Sequence, residues 1–127
     1  MSVHSRLFVL AAAIAAPAVF AAAPKPDIEN GKAQFAMCSI CHSATKEPAP
    51  AAIGPGLFGI VGRKAASQKD FTAYSPALKD SKITWSAKTL DEFLANPMGK
   101  VPGTLMTIPV SDATNRADVI AYLATLK

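Results

Sequence analysis

Apolar residues recur at helical spacing in three separated stretches of this chain, and nowhere do they alternate long enough to specify a strand. In "SDATNRADVIAYLATLK" at the end, Val119, Ile120, Leu123 and Leu126 line one side of an amphipathic helix. In "SAKTLDEFLAN", Leu90, Phe93 and Leu94 form the apolar face, Ser86 caps the start and Pro97 ends the helix. Nearer the front, "DIENGKAQFAMC" sets Ile28, Phe35 and Ala36 close to a helical period behind a cap at Asp27. Gly31 inside that helix costs about 1 kcal/mol relative to alanine, which makes sense mainly where another backbone comes close. "SPALKDS" adds one short helix, with Ser75 as cap and Pro76 at the first position.

The connecting segments are long. "HSATKEPAPAAIGPGLFGIVGRKAASQKDFTAYS" has no sustained period and reads as loop, with tight turns at Gly54-Pro55-Gly56, at Gly59 and at Gly62. "PMGKVPGTLMTIPV" reads as loop again, fixed by its three prolines. The fold class is therefore all-α, with short helices and much loop.

The first residues follow a different pattern. A short polar stretch carrying Arg6 precedes an apolar run from Leu7 to about Phe20, and small residues follow. That is the layout of a secretory signal peptide over residues 1–23, cleaved after Ala21 or Ala23, with residues 24–127 left as one domain. The alternative, an uncleaved membrane anchor, has against it the shortness of the run and Pro17 within it. Export removes His4, so His42 becomes the single histidine of the mature chain. The formal charge of +4 is modest, no stretch is densely basic, and no aromatic residues interleave with lysines, so nothing implies nucleic acid.

A small domain with so much loop buries little apolar surface and usually recruits a metal, a cofactor or disulfides. "MCSICHS" holds both cysteines, Cys38 and Cys41, with His42 directly behind. A disulfide here would close a very short loop and stabilise little. A thioredoxin-like pair would need a βαβ setting that the pattern lacks. Zinc would need a fourth ligand from a second cluster. Haem attachment uses C-x-x-C-H completely: the thiols add to two vinyl groups and the histidine coordinates iron. It is the best fit, with disulfide or redox chemistry as the alternative. A sixth iron ligand is then needed, and a methionine is the natural candidate. Met37 adjoins Cys38 and cannot reach the far face, and Met98 follows Pro97 at a helix end. Met106, in a loop that Pro102 and Gly103 can hold in a fixed turn, is the candidate; the alternative for it is core filling.

At the level of motifs the chain resembles the class I cytochromes c, of the mitochondrial type and its photosynthetic-bacterial relatives. The resemblance runs from about Asp27 to Leu126 and rests on "NGKAQFAMCSICHS", "IGPGLFGIVGRKAAS", "FTAYSPALKDSKITWS", "TLDEFLANPMGKVPGTLM" and "RADVIAYLATLK". It implies the cytochrome c fold: short helices and long loops around one covalently bound haem c, with the first and last helices crossing. Cys38 and Cys41 are implied as the thioether sites, His42 as the proximal iron ligand and Met106 as the distal one. Pro55 is implied as acceptor for the His42 Nδ1 proton. Arg63, Tyr74 and Trp85 match residues around the inner haem propionate, and Thr104 matches a hydroxyl near the other. Gly31, Phe35 and Tyr122 match the crossing of the first and last helices.

The implied activity is soluble, outer-sphere one-electron transfer in the periplasm by a monomer, with no enzymatic reaction. Redox proteins are the implied partners: a bc1-type complex, a terminal oxidase, a reaction centre or a dehydrogenase. The rival readings are a dedicated electron-accepting subunit of a periplasmic dehydrogenase, and a peroxidase or gas-binding protein with a labile Met106. The chain also departs from the mitochondrial pattern. Phe93 stands where a tyrosine is usual and Leu78 where an asparagine is common. Ala33, Met37, Ala52, Met98, Gly99 and Leu105 occupy haem-edge positions where lysines are frequent, while Lys32, Lys64 and Lys100 remain nearby. A flatter, more apolar docking patch is expected, unless Lys69, Lys79 and Lys88 restore the field from elsewhere.

Overall fold

The computed structural model describes residues 22–47 and 53–127. The leader expected up to Ala21 lies outside the described residues, as does Ala52. Five helices follow in order: α1 (Ile28–Cys38), α2 (Pro76–Asp80), α3 (Ala87–Ala95), α4 (Pro97–Lys100) and α5 (Ala113–Thr125). Among the described residues the only β pairing is one isolated antiparallel bridge, Lys64 to Thr84. The all-α expectation holds.

Each helix starts where a side chain can satisfy its free amides. Asp27 accepts from the amides of Glu29 and Asn30, Ser75 from Leu78, and Asp112 from Asn115. Ser86 and Thr89 form a reciprocal capping box at α3. One expectation fails. Pro97 does not simply lead into loop: it begins α4, with Asn96 both closing α3 and capping the new turn through the Gly99 amide. Proline is unfavourable inside a helix yet well suited to its first position, and Asn96 supplies the cap that lets Pro97 act as a start.

α1 and α5 cross at Gly31. A Cβ on Gly31 would lie 2.0 Å from the Asp118 carbonyl oxygen, so only glycine permits this approach. Phe35 packs obliquely on Tyr122 beside the crossing, with ring centroids 5.4 Å apart. The buried carboxylate of Asp118 reaches back to α1, accepting from the Asp27 amide at 2.7 Å and from Asn30 Nδ2 at 2.6 Å. Phe35, Leu90, Phe93, Leu94, Val119, Ile120 and Leu123 join Ile60, Trp85 and Val101 in one core. Truncating Phe35 to alanine there is worth about 3–5 kcal/mol. Leu126 lies one residue past α5, where its carbonyl accepts from the Gly59 amide at 2.8 Å and holds the first long loop against the last helix. α1, α3, α4 and α5 thus pack together. The end of α1 and the segments 39–47, 53–75, 81–86 and 101–112 carry the candidate chemistry.

Candidate functional site

The end of α1 presents the C-x-x-C-H motif. The last turn runs directly into a tight turn in which the amides of Cys41 and His42 both donate to the Cys38 carbonyl, at 3.1 and 2.9 Å. Cys38 and Cys41 are both half-buried free thiols, so no disulfide joins them. Burial holds the Cys38 thiol above its ordinary pKa; a hydrogen bond with its own backbone opposes this and Cys41 adds to it. Among the described residues no three His, Cys, Asp or Glu side chains gather into a metal-binding cluster, so the motif does not assemble a zinc-type donor set.

His42 is held from two directions. Its Nδ1 lies 2.7 Å from the Pro55 carbonyl oxygen. A carbonyl can only accept, so Nδ1 carries the proton and Nε2 keeps its lone pair free. Gly54 backs the ring: a Cβ there would lie 2.4 Å from Cε1 and 2.7 Å from Nδ1. The Gly54 amide donates to Cys41 and the Leu57 amide to Ser43, at 2.9 and 2.7 Å, lacing this turn to the motif. Burial lowers the His42 pKa, with the Pro55 contact working against it, and this favours the neutral, metal-ligating imidazole.

Met106 sits half-buried against the core. The turn before it is built as the sequence suggests. Val101-Pro102-Gly103-Thr104 closes with the Thr104 amide donating to Val101 at 3.0 Å, and Gly103 has φ +92°. Proline second and a left-handed glycine third make this a type II turn. It buries Thr104, whose hydroxyl accepts weakly from the Met106 amide at 3.4 Å.

Arg63 and Trp85 are brought together by the isolated bridge and the turn around it, and Tyr74 lies near enough to Arg63 for each to shift the other's pKa. The Trp85 amide donates to the Arg63 carbonyl at 2.9 Å, and the Gly62 amide to the Trp85 carbonyl at 2.7 Å. The Arg63 guanidinium donates to the carbonyls of Phe58 and Gly56, at 3.1 and 2.6 Å. Burial lowers the Arg63 pKa, and the electrostatic influence of Tyr74 and Asp70 raises it in part. Tyr74 is pushed up by burial and pulled down by a hydrogen bond with the Gln68 backbone and by Arg63. Trp85 is buried, with its ring 5.1 Å from that of Phe93, so Phe93 is a core aromatic here.

The residues fit a haem. The donor set is an imidazole with its distal nitrogen free, a thioether on a separate loop, and two unpaired thiols at the attachment spacing. Gly54 leaves unfilled the space that His42 needs.

Three contributors were not singled out from sequence. Gly54 reads there only as part of a turn, although its amide and missing Cβ both serve His42. Asp118 has no reading of its own in the last helix, yet it is buried and bonded to the start of α1. Arg116 has no separate reading in the last helix, yet it pairs with Asp91 at 2.6 Å, with 11% of its own side chain and 49% of that of Asp91 exposed. None has a local signature, because each partner lies far along the chain or is a backbone atom.

The family profile described as Cytochrome c matches residues 28–127. Cytochrome c2 of Rhodomicrobium vannielii is 43% identical over 100 residues, covering 78% of each chain. Cytochrome c2 of Blastochloris viridis is 39% identical over 118 residues, covering 92% of this chain and 87% of that one. Among solved structures, cytochrome cH from Methylobacterium extorquens superposes with a TM-score of 0.70 at 44% identity, covering 78% of this chain and 98% of that chain. Fold, motif geometry and these likenesses agree: the chain belongs to the cytochrome c family.

Proposed function

We infer that this protein is a monohaem one-electron carrier in which His42 and Met106 ligate the iron and Cys38 and Cys41 hold the ring covalently. One observation carries the reading above the others: directly behind two free thiols, His42 has its Nδ1 proton committed to Pro55 and its Nε2 lone pair available. Haem iron, when bound, supplies reversible one-electron chemistry. The protein's own residues make that chemistry fast and selective. Pro55 and Gly54 fix the imidazole, so the ligand does not reorient when the charge changes. The Met106 thioether favours the reduced state. Arg63, Tyr74 and Trp85 would neutralise and hydrogen-bond one haem carboxylate, and Thr104 would serve the other. The core around Trp85, Phe93 and Val101 excludes water and keeps the local dielectric low.

In this reading residues 1–23 direct export and are removed, and residues 24–127 work in the periplasm. Among the described residues no helix is long and apolar enough to cross a membrane. The electrons pass to and from other redox proteins, with a bc1-type complex or dehydrogenase as donor and a terminal oxidase or reaction centre as acceptor. The test is to express the full chain in a bacterium that matures c-type cytochromes. The expected product is a red periplasmic protein starting at Ala22 or Pro24. Its single haem resists acid–acetone extraction, titrates as one reversible one-electron couple, and in the ferrous state binds CO slowly. A folded, colourless secreted protein contradicts the reading, and immediate CO binding redirects it to a gas-binding or peroxidase role.

A further inference from the structure

The segment that carries Met106 is tied down at its ends and nearly untethered in its middle. At the near end, the Val101 amide donates to Pro97 at 2.9 Å, the Thr104 amide to Val101 at 3.0 Å, and Lys100 pairs with Glu92 on α3. At the far end, the Val110 amide donates to the Leu94 carbonyl of α3 at 2.8 Å. Between Thr104 and Val110 the one hydrogen bond among the described residues is the weak 3.4 Å contact to the Met106 amide. Leu105, Thr107, Ile108 and Pro109 are exposed. The position of Met106 therefore depends on how firmly the two ends are held.

The far end is held by one side chain. Arg116, in the first turn of α5, donates from Nε to Asp91 Oδ1 at 2.6 Å and from Nη1 to the carbonyls of Val110 and Ser111, at 2.9 and 3.2 Å. One planar guanidinium, on a side chain only 11% exposed, thus joins α5, α3 and the Met106 segment, although its Asp91 partner is 49% exposed. A lysine, as a point charge on a flexible stem, cannot reproduce that fork. The near-end pair is different in kind: Lys100 and Glu92 are both substantially solvent-accessible, and such pairs contribute little. We propose that Arg116 is a positioning residue, acting through its Asp91 pair and the Val110 and Ser111 carbonyls to keep Met106 seated on the iron. This rests on the assignment of Met106 as the distal ligand.

The test compares five variants of the ferric holoprotein: Arg116→Lys, Asp91→Asn, the double of these two, Glu92→Gln and the core truncation Val119→Ala. The readouts are the rate of cyanide binding, limited by departure of the methionine, and hydrogen exchange of the Val110 amide relative to that of Val101. Arg116→Lys and Asp91→Asn are expected to raise the cyanide rate about tenfold or more, as loss of a charge-assisted bond implies. They should also expose the Val110 amide selectively, and the double variant should be no faster than the faster single one. Glu92→Gln is expected to stay within about twofold, as is normal for an exposed pair. Val119→Ala separates positioning from general stability: it should lower the thermal midpoint yet leave the cyanide rate within about twofold, since it removes none of the hydrogen bonds that hold the strap. An unchanged cyanide rate in Arg116→Lys overturns the proposal, and so does equal acceleration by Val119→Ala. If the wild-type ferric protein binds cyanide at once and lacks the near-infrared sulfur-to-iron band, the Met106 assignment itself fails. Selective exposure of the Val110 amide would then still report whether the clamp exists.

Discussion

The two sides of the proposed iron site are built on different plans. On the His42 side, ligand and support are interleaved: the Cys41 and His42 amides fold onto Cys38, Gly54 bonds back to Cys41, Pro55 takes the ring proton, and Gly54 leaves no room behind the ring. On the Met106 side, the ligand rides on an extended strap fixed at its ends by the Pro102-Gly103 turn and by Arg116. The first plan makes a ligand whose orientation is settled before the cofactor is engaged. The second would make a ligand whose bond is the first to open. Only the first hold is redundant.

Substitutions can break that contrast. The largest effect is expected on the crowded side. Gly54→Val forces side-chain atoms into the His42 ring and should cost about 3 kcal/mol or more by overpacking, with a sharp drop in covalent haem per purified chain. Normal haem content and an unchanged denaturation midpoint would show that the ring is less confined than the geometry says. On the strap, Gly103→Ala places a Cβ at φ +92° and 3.2 Å from the Ala77 side chain. It should cost about 1–2 kcal/mol and weaken the methionine-to-iron band, while leaving haem attachment intact. Thr104→Val removes the weak hold on the Met106 amide and buries an extra methyl in its place. A smaller loss, about 0.5–1.5 kcal/mol, is expected in chemical denaturation.

Glu92→Gln should have the smallest effect on folding. Lys100 draws the Glu92 carboxyl below its ordinary range through a hydrogen bond, assisted by charge. A carboxylate depressed in the folded state adds stability above its unfolded pKa, and that stability fades as pH falls through the folded value. Wild type and Glu92→Gln should therefore have nearly the same thermal midpoint at pH 7, and any difference should vanish in acid. A gap that widens as pH falls would have the wrong sign.

The outer surface of the strap gives a kinetic version of the same comparison. Met37, Met98 and Leu105 are exposed where the mitochondrial pattern favours lysine, and Lys32, Lys64 and Lys100 are the exposed cations left in those stretches. Electron transfer to an acidic partner is expected to depend weakly on ionic strength, as measured by stopped flow. A steep decline with salt would mean that Lys69, Lys79 and Lys88 supply the steering field from farther away.

What the sequence made legible was local. The Ser86 cap, the Pro102-Gly103 turn and the C-x-x-C-H spacing each involve residues within five positions of one another, so a short window contains the whole device. Gly31 was half legible: its helix cost is visible in the chain, but the Asp118 carbonyl that requires it lies on another helix. Pro97 was misjudged because a proline both ends one helix and starts the next, and the deciding residue was the capping Asn96. Arg116 and Asp91 are 25 residues apart, and Asn30 and Asp118 are 88 apart, distances over which no periodicity carries information. The haem chemistry was readable because it is encoded in one tight motif. The holding of Met106 was not, because it is distributed over α3, α5 and two backbone carbonyls.

The claim that one haem sits between His42 and Met106 is tested most directly by the near-infrared absorption of the ferric protein, wild type against Met106→Ala. The sulfur-to-iron band should be present in the wild type and absent in the variant. In the variant, haem stays attached through Cys38 and Cys41, and the reduction potential falls by a few tenths of a volt, within the ~0.8 V that axial ligands span. A band that survives in Met106→Ala, or is missing from the wild type at neutral pH, would contradict it.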